Sequence, residues 1–298
     1  MKTSLFFLGT FFIISLLGCS NNDNGPENPS TPVDRSANLR TTGASANDIL
    51  SNSSFTRLQI EIAYVQGFRP TAVAINNFTA YLRALTFKED IELLYRELPS
   101  PGEETLTLAE VVDLETENRT AYNVGETLAI YIYFADSPSD TDDEEEGLVT
   151  LGAVYRNTSM IIYENTIRDL AARSPFILES NVETATINHE FGHLLGLVNL
   201  GTPMVMPHEE IVDSEGNKHC NVEGCLMRAE LQFGAGLTGK IPVKEVSDEP
   251  KFACTLSSAT VLKMLSSETA AGGTFNTGGL DPLCLQDLEA NGGRDTSE

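Results

Sequence analysis

His189-Glu190-Phe191-Gly192-His193 sets two imidazoles four residues apart, with a carboxylate directly after the first. On a helix, positions i and i+4 lie one above the other on a single face, so both rings could grip one metal ion. This is the HExxH string, in which zinc takes the two histidines and the glutamate reaches the metal's water as general base. The chain has 4 histidines in all, His189, His193, His208 and His219, so this residue type is confined to one window. The chemistry implied is metal-assisted hydrolysis.

A catalytic zinc commonly takes three protein ligands and keeps a fourth position for water. In the longer pattern HExxHxxGxxH, Gly196 matches the glycine, but Asn199 stands where a third histidine would be. From the residues alone, His208 could replace it, or Glu209, Glu210 or Asp213 could complete a His-His-carboxylate site. Further on come His219-Cys220, four residues, then Cys225-Leu226-Met227. In two blocks, Glu183 to Asn199 and His219 to Met227, the chain resembles the archaemetzincins, a branch of the metzincin zinc peptidases. These read HExxHxxGxxHC, four residues, CxM, and then a further CxxC. The resemblance implies that His189, His193 and His219 are the zinc ligands, across an insertion, and that Glu190 is general base and acid. It also implies that Met227 is the methionine of the Met-turn, the apolar floor beneath the histidines. Arg228 and Ala229 follow it, so the tyrosine that some branches carry two residues on is missing.

Of the 5 cysteines, Cys19 belongs to the N-terminus, leaving Cys220, Cys225, Cys254 and Cys284. In an exported chain an even set implies disulfides, and local pairing would join Cys220 to Cys225 and Cys254 to Cys284. The resemblance implies a different use, a second, structural zinc held by four cysteines. The family's CxxC is absent, however, so disulfides are the expectation. Either arrangement would pin the loop carrying His219.

The elements that must position these residues follow from periodicity. Ile187, Phe191, Leu194, Leu195 and Val198 form an apolar stripe along the HExxH helix, which starts near Asn181 or Glu183 and stops at Gly196 or Gly201. Strands are expected over 58–65, 91–98, 127–134 and 149–162, the last broken near Asn157-Thr158-Ser159. Helices are expected over 71–85, 106–118 and 164–173. The fold class is α+β, a metzincin-like zincin domain with a mixed twisted sheet, an active-site helix and a mostly irregular C-terminal part. By analogy with that family, part of Gly152 to Met160 would be the edge strand that pairs with an extended substrate.

Lys2 followed by the apolar run Leu5 to Leu17 and then Leu16-Leu17-Gly18-Cys19 looks like a bacterial lipobox. Residues 1–18 are then a lipoprotein signal peptide, and Cys19 carries lipid. Residues 19–51, rich in Asn, Ser, Pro and Thr, read as a flexible tether, 52–286 as the metallopeptidase domain and 287–298 as a polar tail. The expected location is the cell envelope of a bacterium, anchored to the membrane and facing the periplasm or the exterior. The net charge of −24 argues against nucleic-acid binding. The acidic run from Asp140 to Glu146 could hold calcium, but its register fits no EF-hand and it reads as a solvated loop.

Together these readings lead to a lipid-anchored zinc metalloendopeptidase acting on proteins or peptides as a monomer, with one catalytic Zn2+. Two other functions use the same residues: a surface interaction module stabilised by zinc without turnover, and a zinc amidase acting on non-protein amides. Glu190 beside the metal argues against the first, since a binding module has no use for a general base.

Overall fold

The expected strands and helices fall within a few residues of their predicted limits, and their pairing is what the sequence did not display. A computed structural model describes residues 34–143, 148–173, 178–212, 217–229, 252–257 and 279–296. Strand β1 (Arg57–Val65) is central because it is apolar on both faces, with Ile60, Ile62 and Tyr64 turned to one core and Ala63 and Val65 to the other. It lies parallel to β2 (Asp90–Leu98) and to β3 (Thr127–Phe134). The 149–162 segment is a hairpin, β4 (Leu148–Arg156) antiparallel to β5 (Ser159–Ile162), turning at Asn157-Thr158. With β6 (Phe252–Ser257) the described order is β2-β1-β3-β5-β4-β6.

Two crossovers build the parallel half. Helix α2 (Ala72–Leu85) joins β1 to β2, and α3 (Leu108–Asn118) joins β2 back across β1 to β3. Their packing puts them on opposite faces: Phe78 and Leu82 of α2 enter one core, and Val111 of α3 enters the other. Right-handed crossovers running in opposite directions require that arrangement. This half has the connectivity of an α/β sheet, and the sheet as a whole is mixed, as expected.

Buried polar networks hold the second face. Glu115 of α3 receives Arg119 and Arg156, each at 2.7 Å, and the Ser159 hydroxyl, also at 2.7 Å. Glu61, fully buried in β1, accepts from Arg96 at 2.9 Å and from the Ala121 amide at 2.7 Å. Each buried charge is thus both paired and hydrogen-bonded, the condition under which burial of charge is tolerated.

Two boundaries move. The second half of the expected tether packs into the domain: Asn38 is buried and its amide donates to Asn123 Oδ1, the Ala129 carbonyl and Thr158 Oγ1 at 2.9–3.1 Å. Ile49 and Leu50 of α1 (Ala46–Leu50) are in the core. The composition misled because these Asn and Ser residues satisfy buried polar groups instead of facing water. The expected polar tail is also seated. Asp287 and Leu288 of α6 (Pro282–Ala290) are buried, and the Arg294 amide donates to the Leu85 carbonyl at 2.9 Å. Cys19 lies outside the described residues.

Helix α4 (Glu164–Ala172) and α5 (Glu179–Leu194) share a carboxylate cluster, Glu164, Glu179 and Glu183, with Arg168 among them. Arg168 Nε bonds Glu164 at 2.7 Å and lies 3.4 Å from Glu179. Burial, and then the charge of Glu183, push the Glu164 carboxyl up to about 9. The folded protein therefore keeps this proton at neutral pH, whereas the unfolded chain loses it near its model value of 4.5. The resulting stabilisation is complete below that value and fades as pH rises through it towards 9. Glu164→Gln mimics the protonated acid, so thermal melts should show its melting temperature rising relative to the parent between pH 5 and 9. An unchanged difference across that range would refute the buried-proton assignment.

Candidate metal centre

The HExxH segment occupies α5, which begins at Glu179, slightly earlier than expected, and ends at Gly196 in the left-handed region, φ 73°. Its apolar stripe is buried as predicted, but so is the rest of it: every residue from Asn181 to Leu194 is buried. The two histidines are therefore inside the protein. At the helix start, Glu183 accepts from the Thr71 amide at 2.9 Å and from the Thr71 hydroxyl, which caps α2. The two helices are thereby tied in register with each other.

His189, His193 and His219 converge, with ring centroids 4.9, 5.0 and 5.4 Å apart and one ring nitrogen from each within 4.8 Å of the others. His189 Nδ1 lies 2.7 Å from the Leu226 carbonyl. A carbonyl only accepts, so Nδ1 carries the proton and Nε2 presents its lone pair. His219 Nδ1 is held the same way by the Asn217 carbonyl at 3.0 Å. Burial pushes the His189 imidazole down to about 3 and that of His219 to about 4, and holds His193 well below its ordinary value. The trio is neutral at pH 7, as metal ligation requires. Ligand nitrogens about 2.1 Å from a tetrahedral zinc stand roughly 3.4 Å from one another, so the described separation needs little closure. These residues fit a zinc ion.

Two glycines let neighbouring elements approach this trio. Gly152 lies beside a β-bulge in β4, and a Cβ there would meet Glu190 Cγ at 2.7 Å. The strand is thus in contact with the carboxylate next to His189. Gly192, in the turn between the two histidines, faces Met227, whose sulfur would lie 2.3 Å from an added Cβ. Met227 is fully buried there.

The third histidine arrives from the loop after α5. Asn199, the position the longer pattern assigns to histidine, is exposed and has a left-handed backbone, φ 63°. Its amide instead donates to Glu209 Oε2 at 3.0 Å, and Glu209 Oε1 accepts the Lys218 amide at 2.8 Å. The Glu210 amide donates to the His219 carbonyl at 2.8 Å, and Asn221 donates to the His208 carbonyl at the same distance. Residues 208–210 and 219–221 therefore run as a short ribbon with a bridge between Glu209 and Cys220. Glu209 and Glu210 shape the loop and do not join the histidines, while Asp213 lies outside the described residues. His208 is elsewhere, with Nε2 3.4 Å from Cys284 Sγ and 3.5 Å from Asp287.

A second cluster lies under this ribbon. Cys220, Cys225, Cys284 and Asp281 each bring one ligand atom within 4.8 Å of the rest, all buried. Cys225 and Cys284 sulfurs are 3.7 Å apart and Cys220 Sγ is 3.3 Å from Asp281 Oδ2. The three cysteines are free thiols, and hydrogen bonds from its two neighbours lower the Cys220 thiol's pKa. The expected pairs, Cys220 with Cys225 and Cys254 with Cys284, are not formed. Cys254 is in β6, where the backbone pairs it with Gly152 of β4. Sequence reasoning missed Asp281, although Asp281-Pro282-Leu283-Cys284 has the CxxC spacing with aspartate in the first place. Three thiols and a carboxylate are a set that could hold zinc. The described part of the 140–146 run is used locally, Asp142 accepting the Thr150 amide of β4 at 2.7 Å.

No protein-family model and no curated protein matches the sequence. Among solved structures, the chain is similar to the crystal structure of archaemetzincin from Methanopyrus kandleri. The identity is 12% and the TM-score 0.44, over 79% of this chain and 96% of that one.

The contact between Gly192 and Met227 makes a direct prediction. Gly192→Ala must displace the methionine sulfur or the helix, an overpacking that costs about 1–3 kcal/mol. Thermal denaturation should register that loss, and titration against a competing chelator should show weaker zinc binding. Unchanged values in both would mean that Met227 does not brace the histidine helix.

Proposed function

We propose that this chain is a zinc-dependent metallopeptidase of archaemetzincin type that hydrolyses peptide bonds in proteins or peptides. The observation that carries the reading is the convergence of three buried, neutral imidazoles beside Glu190. In this reading His189, His193 and His219 hold the catalytic zinc through nitrogens oriented by the carbonyls of Leu226 and Asn217. A zinc ion held there would supply a Lewis acid for the substrate carbonyl and a water of lowered pKa. Glu190, one residue from the first ligand and packed against Gly152, takes the proton of the attacking water on its carboxylate. It then returns that proton to the leaving amine. Met227 serves as the floor of the histidine trio, the role of a Met-turn. Cys220, Cys225, Cys284 and Asp281 hold a second, structural zinc that fixes the ribbon bearing His219. The lipobox ending at Cys19 is the support for an envelope location with a lipid anchor.

The decisive variant is Glu190→Gln. Its rate on a quenched fluorescent peptide library should fall by about 10²–10⁴-fold, while metal analysis finds zinc content unchanged. Retained turnover in Glu190→Gln, or cleavage of peptidoglycan fragments in place of peptides, would remove the peptidase reading. Metal analysis should also find two zinc ions per chain, falling to one in Cys284→Ser with a lower melting temperature. A single zinc in the parent protein would leave the thiol cluster without a metal role.

A further inference from the structure

The strand in contact with Glu190 is already partnered on the side where a substrate would add. Without β6, β4 would end the described sheet, since β5 covers only one of its edges. β6 covers the other, antiparallel, from Leu148 opposite Ser257 to Val154 opposite Phe252. Its Cys254 is paired with Gly152, the residue whose missing Cβ admits Glu190. The middle of β6 is therefore in register with Gly152, the position of β4 that meets Glu190.

A peptide presented to Glu190 gains most by adding to the β4 edge, where main-chain hydrogen bonds orient it irrespective of its sequence. Phe252-Ala253-Cys254-Thr255-Leu256-Ser257 has the length and extended form of such a peptide, and it carries no charge in a chain of net charge −24. A sheet edge left to face water is normally guarded by charged residues. An uncharged strand here is suited to covering an edge and to being exchanged for another peptide.

Resting on the metallopeptidase reading, we propose that β6 is an internal pseudosubstrate: residues 252–257 occupy the substrate edge of β4 and must leave it before a peptide can bind. The exchange is of one antiparallel strand for another, with no covalent change. Because the competitor is tethered, its effective concentration is on the order of millimolar, which sets the block an outside peptide must overcome.

The test uses two hydroxamates on the zinc-loaded chain. Acetohydroxamate reports the metal alone, and a hexapeptide hydroxamate needs both the metal and the β4 edge. In a Cys254→Pro, Thr255→Pro variant, one of two adjacent ladder amides facing β4 is lost whichever way the strand alternates. This variant should bind the hexapeptide hydroxamate about tenfold or more tightly than the parent. Acetohydroxamate should bind both equally, which also shows that the variant is folded. Free peptide of sequence 252–257 added to the variant should restore the parent's weaker binding. In the parent itself, saturating hexapeptide hydroxamate should increase hydrogen exchange of amides 252–257. Equal hexapeptide affinity in the two proteins, or continued protection of 252–257 in the saturated parent, overturns the proposal. If acetohydroxamate binds neither protein, the zinc reading falls first and the pseudosubstrate falls with it.

Discussion

The 2.7 Å hydrogen bond between His189 Nδ1 and the Leu226 carbonyl joins the two parts of the chain that must meet for any metal to bind. One part is a helix buried on all sides, and the other is an irregular loop later in the chain. The bond sets which nitrogen of His189 carries the proton, and so which one presents its lone pair to a metal. The neighbouring residue Met227 packs on Gly192 in the same helix, so the loop is held both by a polar contact and by close packing. With those contacts in place, His219 approaches the other two rings to about 5 Å between centroids.

Keeping that loop in position is the work of two further devices. In the ribbon of 208–210 against 219–221, the Glu209 carboxylate accepts the Lys218 amide and that of Glu210 the Val212 amide. Below it, three thiols and Asp281 gather residues from the loop and from α6. A short loop closes at little entropic cost, and the cost grows only slowly with length. The separation of His193 from His219 in sequence is therefore tolerable provided that the far segment is fastened.

The electrostatics divide along the same line. The sequence carries a net charge of −24, whereas the histidine trio is neutral and desolvated. Where charge is buried, it is met in detail, as at Glu115 with Arg119 and Arg156. At the junction of α4 and α5, one arginine lies among three carboxylates, and the balance is made by a proton on Glu164. The start of the histidine helix is thereby coupled to the protonation state of Glu164.

Local pattern carried much of this protein. The i, i+4 spacing of His189 and His193 with Glu190 between them, the apolar stripe of Ile187 and Phe191, and the alternation in 58–65 are short-range features that one segment expresses by itself. The resemblance to the archaemetzincin pattern pointed to His219, and the fold brings it beside the other two histidines. Three features were decided only in the folded chain, and each depends on residues distant in sequence. Polar residues such as Asn38 and Asn157 read as tether or turn, yet they are buried because their partners lie more than eighty residues away. Asp281 joins three thiols in the second cluster, which no count of cysteines could show. The pairing of 252–257 with β4 arises because a sheet edge accepts any extended segment through its main chain. Spacing within a segment is written in the sequence. Which segments meet is set by the competition of all of them for the same core and the same sheet edges, and only the tertiary structure resolves it.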